Sequence, residues 1–201
     1  MLKTEAEQFT DSDIYVNNIN SIFTGSNITH FEELEYFTAL TKIPDFCFSG
    51  CSKLKEVVIP ENIETIELNA FQNTILTNVY IPRKVKSIDQ RAFIYCKQLV
   101  NIIVDNFNTT YCSNNGSVYI GARPYTLYMV APGLTEYVMP EQTKNIYNND
   151  GWVFVSADKL ERFVINNNFL CVNLFSWLHL PYLQALAKPT RKPKYQLASP
   201  K

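Results

Sequence analysis

The sequence predicts an α/β repeat solenoid, in which short parallel strands alternate with short helical or 3-10 turns and one β-hairpin is inserted. Three observations predict it. Apolar positions recur at a regular interval, 23 residues from Phe48 to Phe71 and 22 from Phe71 to Phe93. Each unit carries one short extended run that ends at Pro60, at Pro82 or at Asp105 in the same place. No unit alone has the apolar residues to close a core, so each must bury its face against the next.

The clearest unit runs Phe48, Cys51, Leu54, Val57, Ile59, Pro60, Ile63, Ile66. It recurs as Phe71, Leu76, Val79, Ile81, Pro82, Val85 and Ile88 with one residue deleted, then as Phe93, Cys96, Leu99, Ile102 and Val104. The Leu-x-x-Val-x-Ile stretch sets its last apolar residues at alternate positions, the period of a strand with one inward face. Strands are therefore expected at residues 55–59, 77–81, 100–104 and 161–165. The proline that follows lacks an N–H and stops the strand. Ahead of each strand, Ala-Phe-x-x-Cys-x-x-Leu spaces apolar residues three apart, which fits a helical or 3-10 turn.

Weaker copies flank these units. Upstream, Phe31, Leu34, Leu40 and Ile43 match Leu54, Val57, Ile63 and Ile66; residues 1–27 read as a lead-in or helical cap. Downstream, Met139, Pro140 and Ile146 are followed by Phe154, Leu160, Phe163 and Ile165 in the same order. The repeats thus span 28–166, with an insertion at about 106–138. In the insertion, Val118, Ile120, Leu127 and Val130 read as a β-hairpin turning at Gly121–Pro124, expected to protrude or to extend the sheet. Residues 167–187 are dense in Leu, Phe and Trp and read as a cap over the open end; residues 188–201 form a basic tail expected to be disordered. The apolar stretch is near the lower limit for a membrane span, although Asn173, His179, Pro181 and Gln184 would be ill placed against lipid.

The segments Ile66-Glu67-Leu68-Asn69-Ala70-Phe71 and Ile88-Asp89-Gln90-Arg91-Ala92-Phe93-Ile94-Tyr95-Cys96 resemble the BspA-like leucine-rich repeat family. The stretch Ile28-Thr29-His30-Phe31-Glu32-Glu33-Leu34 is similar to the entry module of such proteins from gut anaerobes and their phages. In those proteins an acidic calcium loop often precedes a Glu-Ala pair like Glu5-Ala6, but its acidic ligands are missing here and no metal site is carried over. The resemblance implies a right-handed leucine-rich-repeat solenoid without catalytic residues or cofactor. It also implies a module that recognises a protein or a surface glycan, in adhesion or partner binding at a cell surface. The alternative it leaves open is a structural spacer in a phage or appendage assembly. Met1–Glu7 has no apolar core of a secretory signal, which keeps cytoplasmic and virion locations open beside the surface.

Composition agrees with a packed, non-catalytic chain. Apolar residues are 46% of the sequence and charged residues 18%, enough to bury a core and unlike a disordered segment. A net charge of −1 gives nucleic acid no electrostatic handle. There is no G-x-S-x-G, phosphate loop, H-E-x-x-H or C-x-x-C, and the six glycines leave little for a phosphate cradle. Cys51 and Cys96 share a repeat position with Thr74 between them, which reads as a ladder of small buried side chains; Cys47, Cys112 and Cys171 share none. Asp11 and Asp13 read as surface or capping residues. Asn27, Asn108 and Asn115 begin glycosylation sequons, relevant only in a eukaryotic secretory route.

One column of residues is the candidate partner-binding surface. Val58 lies between the inward residues Val57 and Ile59, so its side chain should face outward, as should its equivalents Tyr80, Ile103 and Val164. Glu56, Asn78, Asn101 and Arg162 would flank them. Aligned apolar side chains on a solenoid face form a contact stripe, with Tyr80 the expected anchor. The rival surface is the hairpin, with Tyr119, Tyr125 and Tyr128.

Overall fold

A computed structural model describes residues 23–37, 40–124, 126–147 and 152–164. In chain order its strands are β1 (His30–Phe31), β2 (Lys42–Ile43), β3 (Glu56–Val57), β4 (Thr65–Ile66), β5 (Asn78–Ile81), β6 (Ser87–Ile88) and β7 (Asn101–Val104). They continue as β8 (Tyr111–Asn114), β9 (Ser117–Ile120), β10 (Thr126–Met129), β11 (Glu136–Val138), β12 (Asn145–Ile146) and β13 (Arg162–Val164). Among the described residues the helical content is two 3-10 turns, Glu33–Tyr36 and Trp152–Phe154. No described helix is long and apolar enough to cross a membrane; the apolar segment 167–187 and the basic tail lie outside the described residues.

The chain winds as a β-solenoid of about six turns, as the repeat required. Each coil gives two strands to two separate parallel rows. One row pairs β1 with β3, β5 with β7 and β11 with β13. These hold the expected outward-facing strands, and Tyr80 stands opposite Ile103. The other row joins β2, β4 and β6, with Ile43, Ile66 and Ile88 in register. The sequence reading had these isoleucines as repeat positions without making them strands; two-residue strands are too short to show alternation.

Between the rows lies a corner built on phenylalanine. Phe23, Phe48, Phe71 and Phe93 stack at 5.2, 5.2 and 5.3 Å between ring centroids, with planes within 7° of parallel. Among the described residues the ladder therefore reaches back to Phe23, one coil earlier than the apolar spacing alone indicated. Two residues after each ladder Phe, the chain turns through the left-handed region, at Gly25, Gly50, Asn73, Tyr95 and, after Phe154, Ser156. That kink lets one backbone group in two reach the next coil, as in Phe48 N to Ala70 O at 2.7 Å and Gly50 N to Gln72 O at 2.7 Å. At the far corner Pro60, Pro82, Asp105 and Pro140 each open a turn closed by an N–H three residues on, so Asp105 does take the place of proline.

The small side chains that follow the ladder Phe are buried as expected. Cys51 and Cys96 are fully buried and Thr74 nearly so. Each thiol donates to the carbonyl of the Phe one coil back, Cys51 to Phe23 and Cys96 to Phe71, both at 2.9 Å. Burial pushes the Cys96 thiol up to about 11, so it is an inert rung and not a nucleophile. Cys47 needs a correction: it lies in the position of Ala70 and Ala92, immediately before the ladder Phe, and is buried like them. Side-chain volume, not chemistry, unites that position.

The insertion holds the expected hairpin, β9 paired antiparallel with β10 across the turn that begins at Gly121, and adds a third strand to it. It is a three-stranded antiparallel meander of β8, β9 and β10, and its first turn is Asn115-Gly116, both residues in the left-handed conformation that a tight two-residue turn demands. Of the two expected outcomes it takes the second: it extends the sheet and does not protrude. Val118, Tyr128 and Met129 pack into one hydrophobic core with the Phe ladder, while Tyr119 and Leu127 pack into a second core with Tyr137, Phe154 and Phe163. A strand buried on both faces reads as a near-continuous apolar run, which is why Ser117–Ile120 and Thr126–Met129 lack strict alternation. The sheet then rejoins the solenoid, since β10 pairs in parallel with β12.

Candidate functional site

Strand geometry decides which residues of the outward column meet. On β5 and β7 the burial alternates strictly, with Val79, Ile81, Ile102 and Val104 inward. Tyr80 and Ile103 are left side by side on the outer face, and Val58 points out just beyond β3. These three side chains are 43, 42 and 45% exposed, and their alignment on one face makes them a patch. Glu56 and Asn78 are exposed beside them and Asn101 is half-buried. Two further apolar groups extend the patch: Val100, and Phe107 at 71% exposure under the Arg83 guanidinium, 5.5 Å from the ring centroid.

Tyr80 is held in place. Its hydroxyl donates to Asp105 Oδ2, and Asp105 Oδ1 accepts the backbone N–H of Phe107 at 2.7 Å. The hydrogen bond to Asp105 pushes the Tyr80 phenol up to about 12 and holds the Asp105 carboxyl below its ordinary value. Asp105 thus ties the Tyr80 side chain to the backbone of Phe107. Its replacement of proline was visible in the sequence; its link to Tyr80 required the coil-to-coil register.

The column does not run unbroken to Val164. The Asn115-Gly116 turn is inserted beside β7, where Ile102 N donates to Gly116 O at 3.1 Å. Val164 is paired instead with Val138 on β11, which is 40% exposed, while Arg162 forms a surface ion pair with Glu136. The outer face therefore carries two apolar patches, Val58–Tyr80–Ile103 and Val138–Val164, separated by the turn. As for the rival surface, Tyr119 is fully buried and Tyr128 nearly so, and Tyr125 lies outside the described residues.

The second strand row forms a groove of about 660 Å³ that the sequence reading did not identify. Its floor carries Lys42, Thr65 and Ser87, which stand in register on β2, β4 and β6. Asp45, Glu67 and Asp89 run along it, and Tyr128, Tyr147 and Trp152 close one end. The signal was present: Thr65-Ile66-Glu67 and Ser87-Ile88-Asp89 repeat at an interval of 22. Among the described residues, no group of three His, Cys, Asp or Glu side chains is placed to hold a metal ion.

The family model for BspA-type leucine-rich repeat regions matches residues 15–116 in six copies. Among solved structures, the pneumococcal vaccine antigen PcpA aligns with a TM-score of 0.53 at 19% identity, over 70% of this chain and 34% of that one. A leucine-rich repeat protein from Eubacterium ventriosum aligns with a TM-score of 0.54 at 19% identity, over 76% of this chain and 44% of that one. The chain therefore spans less than half the length of either protein, and at such identity the likeness is one of fold. No curated protein matches the chain.

Proposed function

Because the chain belongs to the BspA-type leucine-rich repeat family, we propose that it is a non-catalytic protein-recognition module that binds a partner at a cell surface through the Val58–Tyr80–Ile103 patch. No catalytic family is indicated, and the repeat fold is in general a binding scaffold. The observation that carries the reading is the alignment of three exposed apolar side chains on one face of neighbouring strands. A rigid aromatic flanked by Arg83 and Phe107 has the composition of an interface hot spot. Tyr80 is also pre-oriented by Asp105, so little side-chain freedom is lost on binding. Adhesion is the role in which a surface-exposed module of this kind would act.

The test immobilises the chain and measures capture of purified extracellular-matrix and cell-surface proteins, with Tyr80→Ala and Ile103→Asp beside the unaltered chain. Lys97→Ala, exposed and outside the patch, serves as control. A partner should bind the unaltered chain and the control equally and lose about 2 kcal/mol or more with Tyr80→Ala. Equal binding by all four would remove the patch from the function.

A further inference from the structure

We propose that the groove over β2, β4 and β6 is a binding site for a short, uncharged oligosaccharide. The groove lies on a different strand row from the Val58–Tyr80–Ile103 patch, so the proposal does not rest on that patch being an interface. Its volume of about 660 Å³ is that of a site for a small ligand. Its lining excludes most classes of such ligands.

The charges are compensated within the wall. Lys42 Nζ is 3.2 Å from Glu67 Oε1, and Arg91 Nε is 3.4 Å from Asp89 Oδ1. Asp45 Oδ1 accepts the backbone N–H of Leu68 at 2.9 Å. A phosphate or carboxylate ligand would meet three carboxylates, and a cationic ligand would have to compete with Lys42 and Arg91. An apolar ligand would desolvate both ion pairs and the hydroxyls of Thr65 and Ser87 without replacing their hydrogen bonds. A polyol can replace them. Its hydroxyls both donate and accept, so they satisfy carboxylate oxygens, ammonium and guanidinium N–H groups and the Thr and Ser hydroxyls together.

The arrangement is also extended and periodic, and it has an aromatic end. Lys42, Thr65 and Ser87 repeat at the spacing of parallel strands, about 4.8 Å. That spacing approximates the length of one sugar ring, so successive rings of a linear glycan would each meet a polar side chain, Lys42, Thr65 or Ser87. At the end of the groove Trp152 is 36% exposed, and the Arg91 guanidinium lies 5.0 Å from the centroid of its ring. Arg91 is itself fixed by Asp89, so the indole is held at the groove mouth. A rigid ring with an electron-rich face is the surface on which the C–H face of a pyranose stacks. Polar partners along the floor and an aromatic platform at the end are the two contacts a saccharide needs.

The experiment uses the full chain carrying Trp177→Phe, which leaves Trp152 as its one tryptophan. The trisaccharides of glucose, galactose, mannose and N-acetylglucosamine are titrated separately into the millimolar range while Trp152 emission is followed. At least one should give a saturable change. Ser87→Val and Asp89→Asn should each weaken that binding at least tenfold with a nearly unchanged melting temperature, because Ser87 is exposed and the asparagine keeps an oxygen to accept the Arg91 backbone N–H. Tyr80→Ala should leave it intact, which separates this site from the patch. No saturable change with any of the four, or binding that Ser87→Val and Asp89→Asn leave unaltered, would overturn the proposal.

Discussion

At the scale of single residues, the repeat is a set of positions defined by conformation as much as by hydrophobicity. The kink two residues after each ladder Phe is taken by Gly25, Gly50, Asn73, Tyr95 and Ser156. Glycine adopts a positive φ freely and asparagine tolerates it, while an aromatic residue there is strained. Tyr95, at φ 61°, is 47% exposed, so its ring recovers little by packing. Tyr95→Gly should therefore raise stability by about 1 kcal/mol, less the backbone entropy a glycine adds to the unfolded chain. A chemical-denaturation midpoint that falls in this variant would show that the ring is more useful than its exposure indicates. Asn108 is the opposite case: nearly buried and fully employed. Its amide donates to the carbonyls of Pro82 and Val85 at 3.0 and 2.9 Å, and its oxygen accepts the N–H groups of Thr110 and Tyr111 at 2.9 Å each. The sequence reading had Asn108 as a glycosylation sequon; in the fold it is a structural clamp without room for a glycan. Asn108→Ala would leave several buried backbone groups unpaired and should cost on the order of 3 kcal/mol, seen as a lower melting temperature.

At the scale of elements, the stacked Phe corner and the inserted meander carry the architecture. Phe71 is fully buried between Phe48 and Phe93, and Phe71→Ala should cost roughly 3–5 kcal/mol. Because each coil leans on its neighbours, hydrogen-exchange protection should fall in β3, β5 and β7 together rather than in one coil. Protection lost in one coil alone would mean that the coils are independent. Gly116 is the tightest point of the insertion: a Cβ there would collide with the Val100 carbonyl oxygen, and its φ is +74°. Gly116→Ala should thus separate the turn from β7 and expose Ile102, raising binding of a hydrophobic dye; unchanged dye binding would show that the turn adjusts freely. These elements also mark what was legible in the sequence. The period, the outer strands and the inward residues followed from matched spacings such as Val57, Val79 and Ile102. The two-residue strands β2, β4 and β6 did not, because so short a strand shows no alternation, and the groove they floor went unseen with them. Of the candidate patch, the outward direction of Val58, Tyr80 and Ile103 was legible from alternation. Its interruption before Val164 was not, because the Asn115-Gly116 turn meets β7 through a backbone hydrogen bond, Ile102 N to Gly116 O, which no side-chain pattern records.

At the scale of the whole molecule, tyrosine joins what the repeat cannot. Among the described residues β6 has no further strand beside it in its row; Ile88 N donates to the Tyr111 hydroxyl and Ile88 O accepts from the Tyr128 hydroxyl. In the second core the hydroxyls of Tyr119 and Tyr137 meet at 2.7 Å. The insertion thus ends one solenoid row with phenols and joins two cores by presenting a face to each. This arrangement has a consequence at high pH. Burial raises the phenols of Tyr119, Tyr128 and Tyr137 above the ordinary tyrosine value of about 10, because the phenolate would lose its hydration. A group whose folded value is raised contributes stability that is complete below the unfolded value, near pH 10, and is lost as pH rises toward the folded value. The unfolded chain therefore releases more protons than the folded one in that window, and stability must fall there. Phenolate absorbance should rise in two phases, the second coinciding with loss of the near-ultraviolet circular dichroism of packed aromatics. Tyr119→Phe separates this from general alkaline damage. It should lower stability at neutral pH, since Tyr137 loses its partner, yet reduce the steepness of the alkaline loss by about one proton, since one raised group is gone. An unchanged slope would mean that the buried phenols do not drive the transition and that the link between the two cores lies elsewhere.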